Sequence, residues 1–266
     1  SKPNNAIRSY KKAITLKSNY AEAHSNLGSI HRDRKQLEKA LLYFEKAHLL
    51  KPDMSFILGD ILQIKMRLCK WDNLSNQLIE LRSRITNNEK GVSPFSLLGL
   101  IDDPKLQKKA SEIYANYYYP KSDNLPNISV YQNHKKIRIG YFSADFKKHP
   151  VATLTAELYE MHDRKHFEVH AFSFGNDTND EMNLRIKSGV DYFHDVKKTS
   201  LKDLVLLSRS CEIDIAIDLG GFTKKARTEV FAMSVAPIQL SYIGYLGTLG
   251  ANYYDYLIAD QIMIPK

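Results

Sequence analysis

Residues 137–161 read IRIGYFSADFKKHPVATLTAELYEM. The first seven, Ile137 to Ser143, are a short run of β-branched and aromatic residues. A polar stretch follows, and from Val151 to Met161 the apolar residues fall at helical spacing. Strand, polar loop and helix in that order make a βα unit. The alternation continues downstream. Strands are expected at 167–174, 190–194, 213–219, 238–243 and 256–259, with helices at 179–188, 201–210 and 228–233 between them. Repeated βα units build a parallel, doubly wound sheet, which makes this half Rossmann-like in architecture. No Gly-x-Gly-x-x-Gly fingerprint follows the first strand, which argues against a nicotinamide dehydrogenase.

Upstream the period changes. Ala6, Tyr10, Ala13 and Leu16 recur as Ala40, Phe44, Ala47 and Leu50, each 34 residues on. Lys17 recurs as Lys51, and Pro52 then ends the unit because it cannot continue a helix. That period belongs to tetratricopeptide repeats, with His24, Leu27, Gly28 and His31 at the first-helix offsets. A degenerate third unit follows. Ile57, Ile61, Ile64 and Leu68 share one helical face, and Trp71 is expected to open a helix carrying Leu74, Leu78 and Leu81. Such helices serve as a groove for a protein or peptide partner or as a spacer docking the downstream half.

Residues 87–136 join the two patterns. Asp102-Asp103-Pro104 reads as a cap opening a helix to about Tyr117, and 124–133 reads as a loop. The Tyr117–Tyr118–Tyr119 cluster reads as junction packing. The fold class is therefore α + α/β. Residues 1–86 are helical repeats, 87–136 a helical junction, and 137–266 a Rossmann-like lobe.

Composition narrows the function. The 266 residues carry a formal charge of +8, which favours acidic or phosphate-bearing partners. The basic residues are scattered as pairs, so no nucleic-acid partner is expected. Two cysteines, Cys69 and Cys211, make neither a disulfide framework nor a zinc spacing. No apolar run is long enough for a membrane span, so no membrane partner is expected and a cytoplasmic location is. The chain opens mid-pattern at Ser1, as a piece of a longer protein would.

In open α/β sheets ligands bind beyond the carboxyl ends of the strands. Three segments fall there. The first holds Asp145, Lys147, Lys148 and His149 just before a helix, where a histidine can act as acid, base or donor. The second holds Asp218, Gly220, Gly221, Thr223 and Arg227. Thr223 is expected to cap a helix carrying Lys224, Lys225 and Arg227, although a tight turn explains the glycines without any ligand. The third, 244–250, has three glycines in seven residues and can turn backbone N–H groups toward phosphate or sugar oxygens. No Asp-x-Asp pair lies on a loop; Glu212 and Asp214 sit at a strand start, the wrong end of the sheet. No Gly-x-Ser-x-Gly elbow is present.

Taken in order, His24 to His31, Lys51-Pro52-Asp53, Asp145-Phe146 with His149-Pro150, Gly221-Phe222-Thr223-Lys224 with Ala226-Arg227, Ala236-Pro237-Ile238-Gln239 and Gly244-Tyr245-Leu246-Gly247-Thr248 resemble the O-linked N-acetylglucosamine transferase family, including its SPINDLY-like members. The resemblance implies a repeat superhelix followed by the two Rossmann-like lobes of a GT-B glycosyltransferase. It implies inverting, metal-independent transfer of N-acetylglucosamine from UDP-GlcNAc to Ser or Thr of proteins. The nucleotide sugar is then a substrate and no cofactor is needed. His149 and Asp145 are implied as catalytic. Ile243, Gly244 and Leu246 match the loop that lies against the donor sugar; with Tyr245, Gly247 and Thr248 of that loop and Asp218, Thr223 and Arg227 of the second segment they make the expected substrate-binding set. Leu246 stands where the family has proline, and Phe95 where animal members place a cleft histidine. A fucose or other sugar donor, or a non-catalytic repeat scaffold, are the rival readings. The resemblance also implies that a second lobe, with most nucleotide contacts, lies outside this chain.

Overall fold

The computed structural model describes residues 2–122, 124–132 and 134–264, so Asn133 of the expected 124–133 loop and the last two residues of the lobe lie outside the described residues. The chain divides into two compact units, Ser1–Tyr114 and Ala115–Lys266.

The first unit is helical: α1 (Lys2–Leu16), α2 (Ala21–Asp33), α3 (Leu37–Leu50), α4 (Ile57–Arg67), α5 (Leu74–Thr86), α6 (Pro94–Leu97) and α7 (Pro104–Tyr118), whose last turn enters the second unit. The recurring positions are the packed ones. Ala40, Phe44 and Ala47 are fully buried on one face of α3. A Cβ on Gly28 would lie 2.6 Å from the Phe44 ring, so a glycine lets α2 lie against α3. The fifth helix opens at Leu74, three residues later than the sequence suggests. Asn73 sits in the left-handed region (φ 58°), which the helix cannot include, and Trp71 is left exposed. Residues 92–110 make no separate junction. Val92, Leu97, Ile101, Leu106 and Ala110 share one core with Leu58, Leu62, Leu81 and Ile85.

The second unit is an α/β lobe. After α7 come β1 (Ile137–Ser143), α8 (Pro150–Met161), β2 (Phe167–Ser173), α9 (Glu181–Gly189), β3 (Tyr192–Asp195), α10 (Leu201–Ser210), β4 (Ile215–Asp218), α11 (Glu229–Ala232), β5 (Ile238–Tyr242) and β6 (Tyr256–Ile258). All pairings are parallel, in the order β3-β2-β1-β4-β5-β6. Alternating residues of β1 supply both faces. Phe142 packs with Phe172, Leu204 and Phe231; Ile139 and Tyr141 pack with Val169, Ala156 and Tyr159. The strand order reverses between β1 and β4; in open α/β sheets the ligand crevice lies above the carboxyl ends at such a point.

Local capping explains where boundaries moved. Helix α9 begins after Asn179, which has φ 49°, with the Asp180 carboxylate accepting from Asn183 N–H. Strand β4 starts at Ile215 because Glu212 turns at φ 50° and the Asp214 carboxylate accepts the Arg138 N–H. The expected linker 124–132 is held to the lobe at two points. Arg209 donates to the carbonyl of Pro126, and the Tyr131 hydroxyl donates to the carbonyl of Arg209.

Candidate active site

The loop after β1 is built by short-range bonds. The Ser143 hydroxyl accepts from the Asp145 N–H at 2.9 Å, turning the chain sharply off the strand. Lys148 N–H donates to both carboxylate oxygens of Asp180, and the buried Asn183 side chain donates to the Phe146 carbonyl at 2.7 Å. These backbone donors hold the Asp180 carboxyl below its ordinary range, the Lys148 N–H first among them. The loop is thereby fixed to the start of α9.

His149 is the N-cap of α8. Its Nδ1 accepts from the Val151 N–H at 3.3 Å, and Pro150 fills the first helical position. With Nδ1 accepting, a neutral imidazole carries its proton on Nε2. That nitrogen lies 3.9 Å from Asp145 Oδ2, and Lys147 Nζ lies 3.4 Å from Asp145 Oδ1. His149 is half-exposed at the crevice and presents an N–H, with a partly buried carboxylate beside it. Helix capping and availability to a ligand are compatible, because they use different ring nitrogens.

The loop after β4 is an internal scaffold. Asp218 is 3% exposed; its Oδ1 accepts from Gly220 and Gly221 N–H, and its Oδ2 accepts from the Tyr254 hydroxyl. Burial pushes the Asp218 carboxyl up, against the pull of these three donors. Thr223 caps no helix. Its hydroxyl donates to the Gly220 carbonyl, and the next helix, α11, begins only at Glu229 without side-chain capping. Lys224 and Lys225 therefore lie on a turn, and Arg227 in the irregular segment before α11. Arg227 donates to the carbonyls of Val196, Lys197 and Thr199, tying this loop to the turn after β3. The structure thus gives Asp218, Thr223 and Arg227 bonds within the protein.

Two results follow for this loop. Asp218→Ala leaves two backbone N–H groups and the Tyr254 hydroxyl without their acceptor, and is expected to cost about 2–4 kcal/mol in urea unfolding. The raised carboxyl also gives a pH signature. The native state holds this proton more tightly than the unfolded chain, so the contribution is complete below the ordinary carboxyl range and is lost as pH rises through the raised folded value. Asp218→Asn is expected to flatten that decline when urea midpoints are compared from about pH 4 to 8.

The loop after β5 leans on the β4 loop. Ile243 has φ 50°, a costly conformation for a β-branched residue. Gly244 N–H then donates to the Tyr242 carbonyl at 2.6 Å. A Cβ on Gly244 would stand 1.7 Å from the Leu219 carbonyl oxygen. Tyr245 turns inward, its ring edge-on to Phe222 at 5.5 Å, with Gly221 and Gly247 close against it. Leu246 and Thr248 point outward. Ile243 and Val151 of α8 both pack on the apolar cluster of the α8 face of the sheet.

Phe222 and Tyr254 had no legible role in the sequence. Phe222 stacks on Tyr119 at 5.9 Å, and Tyr254 reaches Asp218 from 36 residues away. A pocket of about 350 Å³ lined by Tyr131, His134, Lys135 and Asp214 opens at the other, amino-terminal edge of the sheet.

The candidate loops after β1 and β5 thus lie at the carboxyl ends of the strands of this lobe. Residues 114–266 match the model of glycosyl transferase family 41. The chain belongs to glycosyl transferase family 41. Tetratricopeptide models match residues 2–32 and 21–54. Among relatives, the probable UDP-N-acetylglucosamine–peptide N-acetylglucosaminyltransferase SEC of Arabidopsis thaliana is 34% identical over 74% of this chain and 22% of its own length. The UDP-N-acetylglucosamine–peptide N-acetylglucosaminyltransferase of Caenorhabditis elegans is 38% identical over 50% of this chain and 12% of its own length. The fold matches an O-GlcNAc transferase mutant from Thermobaculum terrenum with TM-score 0.66 and 23% identity, over 98% of this chain and 51% of that one. This family 41 chain thus spans about a fifth or less of these two relatives' lengths and half of the solved chain.

Proposed function

We propose that the protein containing this chain transfers N-acetylglucosamine from UDP-GlcNAc to Ser or Thr hydroxyls of proteins, with inversion and without a metal. The observation that carries this is the family 41 match over the α/β lobe; His149 and Asp145 follow β1 and the 243–248 loop follows β5, all at the carboxyl ends of the parallel strands. The acceptor oxygen attacks the anomeric carbon as its bond to the diphosphate breaks, and the electron pair leaves with the diphosphate. The acceptor proton passes to a base.

The tautomer assigns roles. The proton on His149 Nε2 suits donation to a sugar or diphosphate oxygen, while its Nδ1 lone pair is already used by Val151 N–H. Asp145 is the lone-pair carrier beside it. Ile243, Gly244, Tyr245, Leu246, Gly247 and Thr248 shape the surface that meets the donor sugar, and the Asp218, Thr223 and Arg227 loop supports it from behind. A second lobe supplies most nucleotide contacts.

The repeats hold the protein or peptide acceptor. Cytoplasmic reaction fits two cysteines that form no disulfide, and no helix among the described residues is long and apolar enough to cross a membrane.

The test is transfer by the full-length protein, offered UDP-GlcNAc or GDP-fucose with a cell lysate. We expect an N-acetylhexosamine mass on Ser or Thr with UDP-GlcNAc alone. A deoxyhexose mass with GDP-fucose would overturn the donor. No transfer and no nucleotide-sugar binding by folded protein would favour the scaffold reading.

A further inference from the structure

His170, at the middle of β2, His194 on β3 and Cys211, which caps the end of α10, are far apart in sequence and in no zinc-type spacing. The fold brings one ligand atom from each within 4.8 Å of the others. His170 Nδ1 and His194 Nε2 stand 3.1 Å apart. In a tetrahedral zinc site, nitrogen and sulfur ligands lie roughly 3.3–3.8 Å from one another, as the usual metal–ligand lengths require. Side-chain adjustments of about an ångström would bring this trio to that geometry.

The surroundings match a metal-binding histidine. His170 is 4% exposed, and its other nitrogen, Nε2, is 3.0 Å from Glu168 Oε1. Glu168 is in turn held by Arg138 Nε at 3.1 Å. A carboxylate on the far nitrogen fixes the tautomer and aims the Nδ1 lone pair at the shared centre. A hydrogen bond between the two imidazoles would account for the nitrogen pair alone. It leaves the convergence of the thiol without a purpose.

We propose that His170, His194 and Cys211 bind a zinc ion that ties β2 and β3 to the end of α10. Two imidazoles and a thiolate favour zinc over hard oxygen-seeking cations. On binding, Cys211 gives up its thiol proton to solvent. His194 moves its proton from Nε2 to Nδ1, and the lone pairs of His170 Nδ1 and His194 Nε2 are donated to the ion. Water completes the fourth position. Cys211 lies in the α10–β4 connection, at the edge of the sheet where strands begin, so this ion is structural. It stands apart from the loops assigned to transfer, which remains metal-free.

The test uses metal-stripped full-length protein titrated with cobalt(II). One equivalent is expected to give a thiolate-to-cobalt charge-transfer band, displaced by zinc and absent in Cys211→Ser. Glu168→Gln should weaken zinc about 10- to 100-fold in competition with a chromophoric chelator. The wild-type protein gives a readout that does not depend on any variant folding. Zinc should protect Cys211 from alkylation while the exposed Cys69 continues to react. No band at one equivalent, a band that survives Cys211→Ser, or equal alkylation of Cys211 with and without zinc would overturn the proposal.

Discussion

Gly244→Ala is expected to abolish transfer and to destabilise the α/β lobe by about 3–4 kcal/mol. The added Cβ would stand 1.7 Å from the Leu219 carbonyl oxygen and 2.7 Å from its carbon. Both are backbone atoms, so no side-chain rotation relieves the clash. Either the β5 loop lifts off the β4 loop or the Leu219 peptide turns away from β1, where its N–H bonds the Phe142 carbonyl. The neighbouring Ile243 already holds φ 50°, so little conformational slack remains to absorb the shift. Thermal unfolding and a UDP-GlcNAc transfer assay on the full-length variant check this. A stable, active Gly244→Ala protein would mean that the β5 loop does not depend on its close approach to the Leu219 carbonyl.

His149→Ala is expected to separate stability from activity. The alanine loses the acceptor for Val151 N–H, a cap whose removal costs about 1 kcal/mol. Transfer should fall at least about 100-fold, the scale of a lost proton donor or acceptor at the reacting centre. His149→Asn sharpens the comparison, because asparagine caps helices well. It should recover the melting temperature and leave transfer low. If asparagine restores both, His149 acts only through the start of α8.

Much of the fold was legible because it rests on period. The 34-residue recurrence named the residues that became the buried face of α3, and Pro52 marked the end of the repeat. The strand–helix alternation from 137 onward anticipated the parallel sheet, since two-sided burial leaves apolar runs such as those of β1 and β2. The errors cluster where short-range bonding overrides period. Asn73 and Asn179 turn in the left-handed region and delay their helices, and Asp214 spends its carboxylate on the Arg138 N–H instead of extending β4.

For the candidate site, the sequence points to loops and not to the bonds within them. The rule that ligands meet the carboxyl ends of strands selected the loops after β1, β4 and β5; the first two flank the reversal of strand order, and the third follows the strand next to it. It could not tell a ligand-facing side chain from one bonded inward. Asp218, Thr223 and Arg227 look alike in sequence to residues that contact a substrate, yet each is tied to the protein's own backbone. The partners that settle this, Tyr254 for Asp218 and the carbonyls at 196, 197 and 199 for Arg227, come from elements distant in sequence. No spacing rule reveals them. The same holds for His170 and His194, which the pairing of β2 with β3 brings close, and for Cys211, which arrives at the end of α10.

In the proposed reaction the donor sugar lies against the loops at 143–150 and 243–250. Backbone hydrogen exchange of the full-length protein tests this most directly, comparing UDP-GlcNAc with UDP alone. The sugar should add protection at both loops beyond what UDP gives. Equal protection by the two ligands, or protection confined to the amino-terminal edge of the sheet near His134 and Asp214, would contradict it.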